Sequence, residues 1–283
     1  MKQTDGLQIG HSPDKEKDFK IACDVMGDKR MEVPFSHRHH FYAVYWIHEG
    51  NGVHTIDFEE YEIRPDRIFF IRPEQIHFLH DNERVRYSAL QFTEDFMMPF
   101  YPTASGEVNR KEIAVYKDLS DAEQQRIAVL FRQLQAESVS NLPHSAELIR
   151  SEINTLLLEL ERISLATLDT SSVPDLLRTY KDLIDKQFMD KRQVQYYAAQ
   201  LSVSPNYLNV LTRKHCGRTA LDLINERVLL EVKRLLLRTD LAISEIAWQS
   251  GFNELSYFSR FFKRHTGMTP VQFREAMNKM YQT

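Results

Sequence analysis

Residues 242–274 constrain the fold more than any other stretch, because their residues keep helical spacing but change register at a glycine. The spacing is i, i+3, i+4 and i+7 before Gly251, and phenylalanines continue it afterwards: Ile243, Ile246, Ala247 and Ser250, then Phe258, Phe261 and Phe262. Asn253 is placed to cap the second run, while Gly267 and Pro270 end it and begin another helix. The stretch therefore predicts a helix-turn-helix followed by a third helix.

The second helix of this motif has a polar outward face if its three phenylalanines point inward. That face carries Ser256, Ser259, Arg260, Lys263 and Arg264. Such a face can enter a DNA major groove, where Arg260 can donate two hydrogen bonds to a guanine edge and the lysine and second arginine suit phosphates. The alternative is a solvated basic face on an ordinary packed helix.

An upstream segment, residues 194–217, has the same pattern of a helix, a turn and a second helix. Its second helix begins at Pro205, where the missing amide costs little, and we expect it to bury Tyr207, Leu208 and Leu211. Its outward face then presents Asn206, Asn209, Val210, Arg213 and Lys214. Asparagine can pair with adenine, and the two cations can hold phosphate. Two copies make a DNA-binding role more specific than one.

The downstream copy resembles the second helix-turn-helix of the AraC/XylS family of bacterial transcription regulators. The matching residues are Ile246-Ala247, Gly251-Phe252, Tyr257 to Arg260, Phe262-Lys263, Gly267, Thr269-Pro270 and Phe273-Arg274. The upstream copy departs from the family pattern, with Val210 in place of a frequent arginine and Thr212 in place of a core phenylalanine. Between the copies, residues 220–237 predict a rigid helical spacer that sets two recognition helices about 34 Å apart in successive major grooves.

The charge of the chain is divided between its halves. The total is −4, but residues 174–283 carry 17 Lys and Arg against 11 Asp and Glu, whereas residues 1–173 carry a net −10. A net charge of +6 on the segment with both motifs is the electrostatic footprint expected of a DNA-binding domain.

Other global features restrict the class of protein. The N-terminal residues lack the apolar core of a signal peptide, and no run is long and apolar enough to span a membrane, so we expect a cytoplasmic protein with no membrane partner. Cys23 and Cys216 are far apart and have neither metal-site spacing nor a disulfide framework. A length of 283 residues allows about two domains.

Residues 20–91 contain short aromatic and β-branched runs separated by turn residues, which predict a β sandwich or small barrel. The expected strands are Phe41 to Ile47, Val53 to Phe58, Ile68 to Ile71, Ile76 to Leu79 and Val85 to Phe92. A small barrel can enclose one ligand. We expect a small-molecule effector there, contacted by His39, Tyr45, Arg72 and His77.

This segment resembles the cupin domain found at the N-terminus of many AraC-family sensors. His37-Arg38-His39 matches the first cupin motif, and Pro73 to His77 matches the second with Gln75 in place of its glycine. The usual metal-binding carboxylate falls on Ala43, so we expect no metal and no cofactor, although three histidines can bind zinc or iron. A metal-dependent cupin enzyme with a DNA-binding tail is the alternative from another class.

A broad apolar stripe marks the middle of the chain. It lies on a helix predicted from Ser145 and contains Leu148, Ile149, Ile153, Leu156, Leu157, Leu160 and Ile163. The resemblance implies a homodimer through the 145–165 helix, and the alternative is a helix packed on its own barrel. The residues from Thr167 to Pro174 predict a linker.

The whole sequence thus predicts an α+β chain in three parts: a cupin-like effector-sensing β domain at 1–105, a helical dimerisation and linker region at 106–173, and an all-α DNA-binding domain with two helix-turn-helix motifs at 174–283. It predicts a transcription regulator rather than an enzyme, whose partners are promoter DNA, a small molecule and, for activation, RNA polymerase. A remaining alternative is a first domain that only dimerises or binds a protein.

Overall fold

The computed structural model describes residues 19–26, 38–81, 85–98, 113–140, 142–166, 174–239 and 241–281. These residues form two compact units, one on each side of the boundary between residues 168 and 169. His37 and the expected linker residues 167–173 lie outside the described residues. No helix in the described ranges is long and apolar enough to cross a membrane.

The first unit contains two antiparallel sheets, which confirms the predicted sheet-rich domain. Its strands are β1 (Phe19–Met26), β2 (Phe41–Glu49), β3 (Gly52–Ile56), β4 (Glu59–Ile63), β5 (Arg67–Ile71), β6 (His77–Asp81), β7 (Arg86–Thr93) and β8 (Tyr116–Asp118). The five-stranded sheet has the order β1-β7-β2-β5-β8, and the three-stranded sheet has the order β4-β3-β6. The expected strand at Val53 to Phe58 is too long, because Asp57 and Phe58 adopt positive φ and form the turn into β4.

Strand alternation divides the first unit into two apolar layers. Along β2, Ala43 and Ile47 join the layer shared with the second sheet, whereas Val44 and Trp46 face the opposite side. That opposite side is covered by α2 (Asp121–Ser138) and α3 (Ser145–Ala166), which follow the short α1 (Glu94–Met97). Because both faces of β2 are covered, it reads as an almost continuous apolar run.

The apolar stripe of α3 packs inside its own unit. Ile149, Ile153, Leu156, Leu157, Leu160 and Ile163 are all buried in the layer shared with the five-stranded sheet, and of the stripe only Leu148 is exposed, at 47%. The side chains of this stripe therefore have partners within their own unit. The packed-helix alternative explains it.

The second unit is entirely helical over the described residues, as predicted. Its helices are α4 (Asp175–Gln187), α5 (Val194–Gln200), α6 (Pro205–Cys216), α7 (Ala220–Arg238), α8 (Ile243–Gln249), α9 (Leu255–Thr266) and α10 (Pro270–Tyr281). The pairs α5–α6 and α8–α9 are the two helix-turn-helix motifs, and α7 contacts a helix of each. Ser204 caps α6, and Thr219 with Asp222 forms a capping box on α7.

Candidate nucleic-acid interface and effector site

The recognition helix of the second motif, α9, is held by the phenylalanines that its sequence pattern indicates. Phe258 and Phe262 are fully buried, and Phe252 from the preceding turn packs against Phe258 with ring centroids 5.1 Å apart. On the other side Ser256, Arg260, Lys263 and Arg264 are exposed, and Ser259 is half-buried. The N-cap position is Glu254, whose side chain makes no capping hydrogen bond, and not Asn253 as the sequence suggested.

The first recognition helix, α6, buries Leu208, Leu211 and Thr212. Thr212 occupies the core position by donating its hydroxyl to the carbonyl oxygen of Asn209 at 3.1 Å. The expectation that Tyr207 is buried is wrong, because its side chain is 52% exposed. The outward face presents Asn206, Val210, Arg213 and Lys214.

Asn209 is on the predicted face but serves the fold. Its Oδ1 accepts a hydrogen bond from the backbone N–H of Ala220, the first residue of α7, at 3.0 Å. That N–H is one of the donors that a helix start leaves without an intrahelical partner. This bond orients the amide of Asn209 towards the start of α7.

Five cations on the two recognition helices have no acidic partner among the described residues within ion-pair distance: Arg213, Lys214, Arg260, Lys263 and Arg264. Other arginines of this unit are committed, for example Arg227 to Asp185 at 3.1 Å. Four of the five cations, Arg213, Lys214, Lys263 and Arg264, lie in the last turn of their helix, where positive charge is favourable. The five are therefore available to neutralise phosphates.

The turn of the second motif is docked on the loop between α4 and α5. Arg192 donates a hydrogen bond to the carbonyl oxygen of Ser250, and its guanidinium lies 3.8 Å from the ring centre of Phe252. Burial lowers the pKa of Arg192. Gly251 adopts a φ of +75°, and an added Cβ there would lie 2.4 Å from the carbonyl oxygen of Met189. These contacts join the turn of the second motif to the loop that leads into α5, the first helix of the first motif.

A cleft of about 340 Å³ on the second motif was not expected from the sequence. It lies between α8 and the start of α9 and is lined by Ser244, Ala247, Trp248, Phe252, Asn253 and Leu255. Trp248 is 78% exposed, and Leu255 of the same cleft is 47% exposed. The signal was present, because Trp248 directly follows the buried pair Ile246-Ala247 and must point outward on a helix.

In the first unit, three of the four proposed effector contacts lie near one another. His39 and His77 are both buried, with ring centroids 5.0 Å apart, and Tyr45 joins the layer between the two sheets. His54 completes the group, because its Nε2 is 3.2 Å from Nδ1 of His77 and its ring is 6.3 Å from that of Tyr45. His54 could have been found only if the register of β3 were known.

Arg72 does not join this group. Its guanidinium lies 5.0 Å from the ring centre of Phe70, which belongs to the layer beneath the helices, and its Nη2 donates to the carbonyl oxygen of Ile113 at 2.6 Å. The expectation that Arg72 contacts the same ligand as the histidines is therefore corrected by strand alternation.

Among the residues that the structure describes, no three His, Cys, Asp or Glu side chains are arranged as metal ligands. The first histidine of the cupin-like motif, His37, is outside that set. The imidazoles instead contact each other and their surroundings. His39, for example, has Nδ1 2.7 Å from the carbonyl oxygen of Phe41 and stacks on its ring.

Comparison with known proteins gives one family match in each of the two units. A model of the AraC-like ligand binding domain matches residues 30–157, and a helix-turn-helix domain model matches residues 197–276. The HTH-type transcriptional activator RhaR of Salmonella dublin is 26% identical over 279 residues, covering 93% of this chain and 96% of its own. RhaR of an Enterobacter species is 25% identical over 252 residues, covering 86% and 88%.

Solved structures of two proteins also match parts or most of the chain. The C-terminal domain of AraT from Geobacillus stearothermophilus is 31% identical with a TM-score of 0.35, covering 37% of this chain and 87% of its own. ToxT from Vibrio cholerae is 16% identical with a TM-score of 0.43, covering 91% and 98%.

The two units thus define a transcription regulator that combines an N-terminal ligand-binding domain with a C-terminal helix-turn-helix DNA-binding domain. The chain belongs to the AraC family.

Proposed function

We propose that this protein activates transcription when a small molecule binds between the sheets of its first unit, and that it acts as a cytoplasmic regulator without enzymatic activity. The relatives that cover most of the chain are bacterial transcriptional activators. The observation that carries the proposal is the set of five exposed cations on two recognition helices. We also propose three parts of the chain with boundaries at residues 105 and 173, in which α2 and α3 share a core with the strands.

The proposed DNA contacts are Asn206, Arg213, Lys214, Ser256, Ser259, Arg260, Lys263 and Arg264. In this proposal Arg260 reads a guanine, because it is exposed near the middle of α9 and a bidentate arginine–guanine pair is a specific contact in the major groove. The lysines and the other arginines contact phosphate.

Selection of genomic fragments with the purified full-length protein identifies the operator, which we expect to contain two short elements about one helical turn apart. On that operator Arg260→Ala should weaken specific binding by about 1–3 kcal/mol and relax preference at one base pair. The matched control is Arg178→Ala, since Arg178 pairs with Asp175 on α4, away from both recognition helices. Equal loss on all sequences would reduce Arg260 to a phosphate contact, and no enriched operator would reject sequence-specific binding.

For the effector we propose contact with His39, Tyr45 and His77, joined by His54. The two tyrosines of β2 provide a matched test, because Tyr45 faces the layer between the sheets and Tyr42 faces the helices. With a metabolite found by calorimetry, Tyr45→Phe should weaken binding and Tyr42→Phe should not. Equal effects would place the ligand elsewhere.

We also propose a homodimer through the 145–165 helix, but by its outer face. Leu148 and Leu158, both 47% exposed, lie on that face with Ser151 and Thr155. Leu158→Asp should give monomers in sedimentation, whereas Val139→Asp, a change at a 69% exposed residue after α2, should not. A dimer that survives both changes contradicts this interface. Activation further requires contact with RNA polymerase, which we include in the proposal.

A further inference from the structure

The base-reading surface of α6 is smaller and more apolar than its sequence suggests. Asn209 is engaged by the backbone N–H of Ala220, and Arg213 lies towards the C-terminal end of the helix. In a helix-turn-helix the residues near the N-terminus of the recognition helix contact base edges. On the outward face that leaves Asn206 and Val210, which are four residues apart and therefore on the same side of the helix.

Val210 occupies the position that Arg260 has in the second motif. Both α6 and α9 have 12 residues and end at a left-handed glycine, Gly217 or Gly267, so equivalent positions are 50 residues apart. Val210 is 57% exposed, and Asn206 and Arg213, its neighbours on the outward face, are polar and also exposed. We propose that Val210 determines specificity by packing on the C5-methyl group of a thymine in the major groove.

The chemistry of the groove supports this assignment, which rests on the proposed contact of α6 with DNA. Each base pair has a distinct pattern there, and the thymine methyl is the apolar feature among polar edges. A β-branched side chain has few rotamers to lose when it is buried. Asn206, one turn earlier, can bond the N6 and N7 of an adenine. The first element should therefore contain A·T pairs, and the second a guanine read by Arg260.

The test replaces each thymine of the first element by deoxyuridine, one at a time, in the operator obtained by fragment selection. This change removes one methyl group and keeps base pairing. We expect one replacement to weaken binding of the full-length protein about three- to fourfold, the value for one buried methyl-sized group. Replacements in the element read by α9 should not depend on residue 210.

Val210→Ala should bind the thymine and deoxyuridine operators equally, because the side chain that senses the methyl is gone. Val210→Arg should change the preferred base at that pair from thymine to guanine. The control is Val271→Ala, a change at a 49% exposed valine on α10, which should keep the wild-type discrimination. Circular dichroism of each variant confirms that it is folded.

Three results would overturn the inference: wild-type protein indifferent to every deoxyuridine, discrimination retained by Val210→Ala, or no new preference in Val210→Arg. The second would assign the methyl contact to another side chain, such as the exposed Tyr207. None of these three results contradicts the proposed DNA-binding function if Arg260→Ala still weakens specific binding. Failure to obtain any operator would instead reject the function on which the inference rests.

Discussion

Gly251→Ala should destabilise the second unit more than alanine at Gly217 or Gly267, the left-handed glycines that end the two recognition helices. Two costs add at this position. A non-glycine residue at φ +75° costs roughly 1–2 kcal/mol. The new Cβ would also lie 2.4 Å from the carbonyl oxygen of Met189, and forcing extra volume into a packed site costs about 1–3 kcal/mol. The expected total is about 2–5 kcal/mol.

Gly267→Ala and Gly217→Ala separate the two costs. Their φ values are +78° and +68°, and an added Cβ would meet nothing within 4 Å at either position. They should therefore lose only the conformational part, roughly 1–2 kcal/mol. Denaturant unfolding followed by far-ultraviolet circular dichroism measures all three, because the second unit is helical.

The Met189 carbonyl cannot move freely to relieve the contact. It belongs to the turn in which the N–H groups of Asp190 and Lys191 both donate to the carbonyl oxygen of Gln187. This turn leads into α5, so a shift there should also disturb the spacing of the two motifs and reduce specific DNA affinity beyond the effect of Gly267→Ala. If the three variants are equally destabilised, the steric argument is refuted.

Three further predictions concern single side chains. The Arg67 guanidinium, with that of Arg64, holds the pKa of Asp118 well below its usual range, so its contribution to stability is present above about pH 4 and is lost on acidification. The stability difference between wild type and Asp118→Asn should therefore shrink in acid unfolding titrations, and a constant difference would contradict the ion pair. Burial raises the pKa of Tyr197 to about 12, so stability is lost as the pH rises from about 10 towards that value, and Tyr197→Phe should lose less over this range in alkaline titrations. Asn209→Ala should lower the melting temperature without changing base preference, whereas Asn206→Ala should do the reverse; a base preference altered by Asn209→Ala would contradict its role in the fold.

The parts of the fold that sequence predicted well have strong local signals. The second helix-turn-helix motif was recognisable because the buried Phe258 and Phe262 repeat at helical spacing, and because Gly251 separates them from the helical run that precedes it. Strand β4 was missed because Glu59, Glu60 and Glu62 make it charged, which is usual for an edge strand of a sheet. Strand β8 has only three residues and no periodicity to detect.

The proposed effector site was less predictable, since it depends on contacts between distant strands. Residue type and motif suggested His39, Tyr45 and His77, which lie near one another, but Arg72 was not distinguishable from them without the register that turns it towards Phe70. The same limit applies to the α3 stripe. Apolar spacing shows that a helix face is buried, but not whether its partner is a sheet of the same chain or a second copy.

In the two recognition helices, side chains at equivalent outward positions meet different hydrogen-bonding requirements. Asn209 and Ser259 are equivalent, and spacing puts both on the outward face. The helix after the first motif begins at Ala220, whose N–H needs an acceptor and takes the amide oxygen of Asn209. The helix after the second begins at Pro270, which has no N–H, so no such bond is required of Ser259. The residue that begins the following helix thus decides whether a polar side chain of the recognition helix is used within the fold, and in our proposal Asn206 and Val210 make the larger share of base contacts in the first motif.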